Sequence, residues 1–346
     1  MNHEISNIEN QEPKTKDQTP QILDLLIIGA GPAGISAAWE AQKLGLNYLV
    51  IEKKLIGNTI YNYPIGLTVF STVNELELVE GTLKPAREKP TREELLSYYV
   101  RFVLENNLNI QTEEEVLKVE KLAENHFKVS TDKGIYESKA VLFAIGAMEY
   151  PRHLGVKGED LPKVQHLFRE TYPYVKKNAM VIGGGNSAGE AALFLAQEGA
   201  NAILAIFRED WENNDPKQGC IKYWVKQPLQ EELSKECLNV YFLKRVVEIR
   251  EKDIVLENEN GLVETFPNDV VFILIGADAE LGLLTNLGVE TRKTKHGTIP
   301  VYNDESFETN IANVYVVGHF TEARHIAGAI QVPRKIVPAI AERIRN

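Results

Sequence analysis

The sequence predicts an α/β chain built on two βαβ units, and three observations carry that expectation. Residues 22–28 and 178–182 are apolar without alternation, as buried parallel strands are. Each run ends in a glycine-rich turn and passes straight into a helix of small residues. The turns lie 154 residues apart, from Gly29 to Gly183. That distance far exceeds a solenoid period, so the unit is duplicated rather than tandemly repeated.

Order is expected to begin at Ile22, because residues 1–21 are polar and carry two prolines, the marks of a disordered lead-in. After the strand at 22–28 come a helix over 35–44 closed by Gly45 and a second strand at 47–53. Residues 91–107 read as a helix, with Thr91 and Glu94 spaced as a capping box. The pattern then shifts to strands at 109–111, 114–122, 126–132 and 134–146, with Gly134 marking a turn. The βαβ theme restarts with a strand at 178–183, a helix at 187–198 closed by Gly199, and a strand at 201–207. Further strands are expected at 239–250, 253–257, 269–275 and 313–318, and a helix near 326–345 closes the chain.

A chain of 346 residues, 44% hydrophobic, fits about two domains. Its net charge of −11 repels phosphate backbones and argues against nucleic acid. No secretory h-region precedes residue 22, and the apolar stretch 23–39 is broken by Gly29, Gly31, Pro32 and Gly34, so a membrane span is not expected. The two cysteines, Cys220 and Cys237, form no CxxC; sparse thiols suit a reducing cytoplasm. No His/Cys spacing matches a metal-ligand set, so no metal is expected.

A GxGxxG turn between strand and helix is the mark of a dinucleotide site. In Gly29-Ala30-Gly31-Pro32-Ala33-Gly34, Gly29 permits the tight exit from the strand. Gly31 lets the backbone approach a pyrophosphate, and Gly34 lets the helix pack close to the sheet. Glu52, at the end of the second strand, stands where a carboxylate accepts hydrogen bonds from ribose hydroxyls. The second turn, Gly183-Gly184-Gly185-Asn186-Ser187-Ala188, has alanine at the packing position. Arg208 closes its second strand and suits a 2′-phosphate, hence NADPH; Glu209 and Asp210 follow at once, and an acid there suits NADH.

Two such sites in one chain resemble the two-dinucleotide-domain flavoprotein reductases of the thioredoxin-reductase type. Ala144-Ile145-Gly146 resembles that family's crossover between domains, and residues 297–318 its lead into the last flavin contact. Residues 58–72 (NTIYNYPIGLTVFST), 161–168 (LPKVQHLF), 183–188 (GGGNSA) and 221–224 (IKYW), with Lys226, are similar to the bacillithiol-disulfide-reductase-like branch. The resemblance spans most of residues 22–345. It implies two Rossmann-like, three-layer ββα domains: an FAD domain of residues 22–150 and 278–346, and an NAD(P)H domain of residues 151–277 inserted into it. It also implies a homodimer.

The implied FAD contacts are Gly29, Gly31, Pro32, Ala33, Gly34, Glu52 and Lys53, then Tyr61, Phe70, Ser71, Val116 and Gly146, and finally Gly318, His319, Ala329 and Ile330. The implied NADPH contacts are Gly183, Gly185, Asn186, Ser187, Ala188 and Arg208. Electrons would pass from NADPH through FAD to a low-molecular-weight disulfide. Two departures stand against that destination: there is no CxxC, and Ala33 fills a position where some members hold a cysteine. A third bears on the late flavin contact, since His319 follows Gly318 where the family usually has aspartate. A thiol-independent transfer to a ferredoxin, a flavodoxin or a quinone is the alternative. A non-catalytic redox sensor is a further one. A flavin monooxygenase is disfavoured, since no FxGxxxHxxxY-like linker occurs. His325, as a proton donor at a helix start, and Cys220, in a loop, are the candidate catalytic groups. Cys237 is expected to be packed, and Lys222, Trp224 and Lys226 to alternate along a strand face.

Overall fold

The structure, a computed structural model, describes residues 22–215, 221–294 and 297–345. The expected lead-in and Cys220 lie outside these residues. Two sheets organise the chain. The first runs, in spatial order, Ile110–Gln111, Tyr48–Ile51, Leu23–Ile28, Ile135–Phe143, His126–Thr131 and Val116–Ala123. The strand Ile135–Phe143 changes partner midway. Its early residues pair antiparallel in the meander, and Val141–Phe143 pair parallel with Val314–Val316. The second sheet contains seven strands between Val164 and Ile273. Five are parallel, and Leu238–Ile249 leads into an antiparallel three-stranded extension. The first sheet is thus completed by a strand that follows the whole of the second.

Alternation along each central strand builds the layers. Leu25 and Ile27 pack on the helices Pro32–Lys43, Arg92–Glu105 and Ile326–Arg345. Leu26 and Ile28 pack on the opposite face with Val119, Phe127 and Val129 of the meander. The second sheet repeats the arrangement: Ala179 and Val181 meet the helix Asn186–Gln197, while Met180 and Ile182 meet Leu243, Ile254 and Leu256. These are the expected ββα layers. The capping box at Thr91 is present, with its hydroxyl accepting from the Glu94 amide at 3.2 Å. Among the described residues, no helix is long and apolar enough to cross a membrane.

The two sheets are joined by a short ribbon. Tyr150–Pro151, on the way out, pairs antiparallel with Ala277–Asp278, on the way back. Arg152 fastens it, donating from Nε and Nη2 to the two carboxylate oxygens of Asp278 at 2.9 and 2.7 Å.

Two local expectations are corrected. Lys222, Trp224 and Lys226 do not share a strand face; Lys222 caps a helix, Tyr223–Ser234. Its buried positions, Val225, Lys226, Leu229 and Glu232, follow helical spacing, a signal longer than the five residues that alternate. Lys226 turns inward onto the Trp211 carbonyl and Asn214 Oδ1. Cys237 is exposed rather than packed, because it follows the helix at a turn where Glu236 takes a positive φ of 60°.

Candidate functional site

Both glycine turns open at the carboxyl ends of their parallel strands, where open α/β sheets bind ligands. The first chain exit is tied down on both sides: the Gly29 amide donates to the Ile51 carbonyl at 2.8 Å and the Ala144 amide to Ile28 at 2.8 Å. Gly29 has φ of +106°, and an added Cβ would stand 2.6 Å from the Ala144 oxygen. Gly183 repeats the feature, with a Cβ position 2.3 Å from the Leu274 oxygen. Glycine is therefore required at both exits by backbone conformation and by contact.

One cleft of about 1710 Å³ is lined by both turns. Single small-molecule sites are commonly about 300–1,000 Å³, so it has room for two extended ligands. Gly29, Gly31, Pro32 and Ala33 form one wall, with Glu52 and Lys53 beside them. Phe70, Ser71, Val116 and Gly146 continue it, and Gly318, His319, His325 and Ala329 close it. Gly183, Gly185, Asn186 and Ser187 line the other part.

Five expected contacts lie outside this lining. Gly34 and Ala188 pack their helices onto the sheets instead. Ile330 is buried, and its carbonyl accepts from the Ser36 hydroxyl at 2.7 Å. The Tyr61 ring is held by two guanidinium groups, Arg169 at 4.4 Å and Arg92 at 5.4 Å from the ring centre. Arg208 starts a short helix, Arg208–Glu212, lies 3.8 Å over the Phe242 ring and donates to Glu259 at 2.8 Å. Asp210, not Arg208, lines the cleft, and a Cβ on Gly184 would lie 2.3 Å from its carboxylate. A helical turn after Phe207 swings residue 208 outward and residue 210 in, which the chain order alone does not reveal.

Glu52 accepts from the Ala30 amide at 2.7 Å and the Lys54 amide at 2.8 Å. Burial raises its pKa against those two donors. A carboxylate has about four lone-pair sites, so two remain for a ribose diol. The helix Asn186–Gln197 is tied to the helix at 223 through the Lys222 amide, which donates to Asn186 Oδ1 at 2.8 Å. Phe70 of the first half stacks on Trp224 of the second at 5.4 Å.

Sequence reasoning missed Glu190, which lines the cleft from the half opposite Tyr63. Burial pushes the Glu190 carboxyl up to about 7, and burial with the Glu190 charge pushes the Tyr63 hydroxyl up to about 12. Glu190 stands two positions past Ala188, so the turn motif places it, but only the assembled cleft shows its burial. Because its folded pKa is raised, its stabilising neutral form is complete below about 4.5 and is lost as pH rises through about 7. Wild-type protein should thus lose stability between pH 5 and pH 8, by at most about 3 kcal/mol, that Glu190→Gln retains. Urea midpoints at the two pH values measure it; equal pH slopes would refute this environment for Glu190.

A family model described as pyridine nucleotide-disulphide oxidoreductase matches residues 26–318. The chain belongs to that family. Bacilliredoxin reductase Bdr of Bacillus subtilis (strain 168) is 35% identical over 293 residues, 85% of this chain and 88% of that protein. Among solved structures, bacillithiol disulfide reductase Bdr (YpdA) from Staphylococcus aureus aligns with a TM-score of 0.86 at 33% identity, covering 93% of this chain and 99% of that one. Thioredoxin reductase of T. acidophilum, at 22% identity and a TM-score of 0.73, shares the fold. This family member therefore shares the fold of those reductases over most of its length.

Proposed function

We propose that this chain is an FAD-dependent NAD(P)H oxidoreductase that reduces a low-molecular-weight disulfide of the bacillithiol class. The observation that carries the reading is the single cleft walled by both glycine turns, in a chain that parallels Bdr along nearly its whole length. In this reading residues 22–150 and 278–346 hold FAD, and residues 151–277 hold the nicotinamide dinucleotide. FAD supplies a two-electron carrier between a hydride donor and a disulfide. The net reaction consumes one NADPH, one proton and one disulfide, and yields NADP⁺ and two thiols.

The residues fit these ligands. Gly31 to Ala33, at the start of Pro32–Lys43, and Gly185 to Ser187, at the start of Asn186–Gln197, line the cleft, and such helix ends favour phosphate. Glu52 holds a ribose diol, and Lys53 lies beside the first turn, paired with Glu149 at 2.5 Å. The terminal helix begins at Ile326, with the Ala329 amide bonded to the His325 carbonyl at 2.9 Å. Its positive end faces the cleft and favours negative charge there, while His325 is placed to hold a proton.

Purified protein should be yellow and release FAD on denaturation. Anaerobic NADPH should bleach it, and bacillithiol disulfide should accelerate NADPH oxidation at least tenfold over the oxygen background. A colourless protein sinks the flavin reading; bleaching without any response to the disulfide sinks the substrate.

One observation favours a second acceptor. No described cysteine lines the cleft. Cys237 lies near Asn178 and Asn201, at the amino ends of strands whose carboxyl ends carry the turn. Transfer without a protein thiol suits a one-electron acceptor protein, and ferredoxin–NADP reductase of Ignicoccus hospitalis is 26% identical over 331 residues. Faster NADPH oxidation with ferredoxin than with disulfide would select that reading.

For the nucleotide, we propose NADPH, with Arg208 released from Glu259 onto the 2′-phosphate. The exposed ion pair is a small obstacle, since water screens the attraction between two surface charges. Arg208→Ala should raise KM for NADPH about three- to tenfold and change that for NADH less than twofold. Equal changes for both nucleotides, measured by steady-state kinetics, overturn the assignment.

A further inference from the structure

We propose that His153, Glu159 and His166 form a divalent transition-metal site, suited to Zn²⁺, in the wall of the cleft beside the ribbon. None of these residues is used in the proposed reaction, and their spacing of six and seven residues matches no ligand motif. The fold assembles them. His153 follows the ribbon strand Tyr150–Pro151 by two residues, Glu159 lies in the turn beyond it, and His166 follows the edge strand Val164–Gln165.

The geometry is close to a coordination polyhedron. Glu159 Oε1 lies 3.2 Å from His153 Nδ1 and 3.7 Å from His166 Nε2, and the three donor atoms lie within 4.8 Å of one another. A tetrahedral Zn²⁺ with bonds near 2.0–2.1 Å sets its donors about 3.4 Å apart. Two edges therefore bracket the ideal. The third closes by turning His153, whose side chain is 64% exposed and whose ring already stands 4.4 Å from that of His166.

The carboxylate is already aimed. Glu159 accepts from the Leu154 amide at 3.0 Å and the Gly155 amide at 2.7 Å, so backbone donors fix its orientation without using the histidines. His166 is largely buried, and its Nδ1 finds no partner among the described residues, so the ring addresses the cluster through Nε2 alone. Two imidazoles and one carboxylate suit zinc-like cations, whereas calcium and magnesium prefer oxygen sets. A fourth position is left for water.

The affinity should be moderate. Three ligands, with no outer hydrogen bond steadying His166, forgo about 10- to 100-fold relative to a fully supported site, so binding near micromolar is expected. A bound ion would tie the end of the ribbon to the edge of the second sheet. His166 lines the cleft, so the ion would also lie against its wall.

The test is a Zn²⁺ titration of tag-free, full-length protein, with its purified flavin content, against a chromophoric chelator. One Zn²⁺ per chain should bind with Kd of about 1–10 µM. His153→Ala changes an exposed side chain and should weaken binding at least tenfold with an unchanged melting temperature. His166→Ala should do the same or more, and Cys237→Ser should change nothing. Binding weaker than about 1 mM, or equal binding by wild type and His153→Ala, overturns the site. Neither result touches the proposed reductase activity, which is read separately from NADPH oxidation.

Discussion

Gly31→Val should yield a folded protein that has lost its flavin. Gly31 has φ −77° and ψ −176°, an extended conformation that any residue adopts. An added Cβ there meets nothing within 4 Å. Neither conformation nor packing explains the glycine, so what remains is the space it leaves open at a helix N-terminus. A branched side chain in that space should cost FAD at least about 4 kcal/mol, or a factor near 10³ in Kd. Flavin content per chain, read from the visible spectrum, should fall below about a tenth of wild type. The melting temperature should stay within about 2 °C of deflavinated wild type, since surface changes away from contacts are nearly neutral. Gly185 has the same character, with φ −99° and open space around its Cβ position. Gly185→Val should therefore keep the yellow colour and lose bleaching by NADPH. Retention of full flavin by Gly31→Val would remove the first turn from the FAD site.

Gly34→Ala, although a smaller change, should be the more destructive to the fold. Its Cβ would stand 1.8 Å from the Gly29 carbonyl oxygen and 2.9 Å from the carbon. The obstacle is backbone, and that backbone is pinned, because the Gly29 amide is bonded to Ile51. Relief requires moving the helix Pro32–Lys43 off the sheet, where it packs against the terminal helix Ile326–Arg345. Overpacking commonly costs 1–3 kcal/mol and here should reach about 4 kcal/mol, a large part of a stability of about 5–15 kcal/mol. A drop in melting temperature of about 10 °C is expected. A variant that melts within 2 °C of wild type would show that the close packing is not under the strain inferred.

The parallel cores were legible because their residues obey local rules. Leu23–Ile28 and Asn178–Ile182 are buried on both faces, so their apolar runs need no partner to be recognised. Gly29 and Gly183 are dictated by their own backbone conformations. The helix at 223 is hidden from a local pattern because five alternating residues mask the helical spacing from Ile221 to Val225 to Leu229. Much of the site was less legible for a different reason. Asp210 displaces Arg208 from the cleft, Glu190 meets Tyr63, and Phe70 meets Trp224 only once segments from both halves are packed together. Such encounters are written in tertiary contacts, and no spacing within one segment encodes them.

The ribbon of Tyr150–Pro151 and Ala277–Asp278 sets how the halves are coupled. Outbound and returning chains run side by side, so the connection behaves as an axle rather than as two separate tethers. Rotation about the ribbon leaves its few hydrogen bonds and the Arg152–Asp278 clasp intact, whereas pulling the halves apart must break them together. Cutting one crossing would leave the other strand still paired to it. Torsion about the ribbon would change the cleft's width and its orientation together, and would have to part Phe70 from Trp224 as it did so.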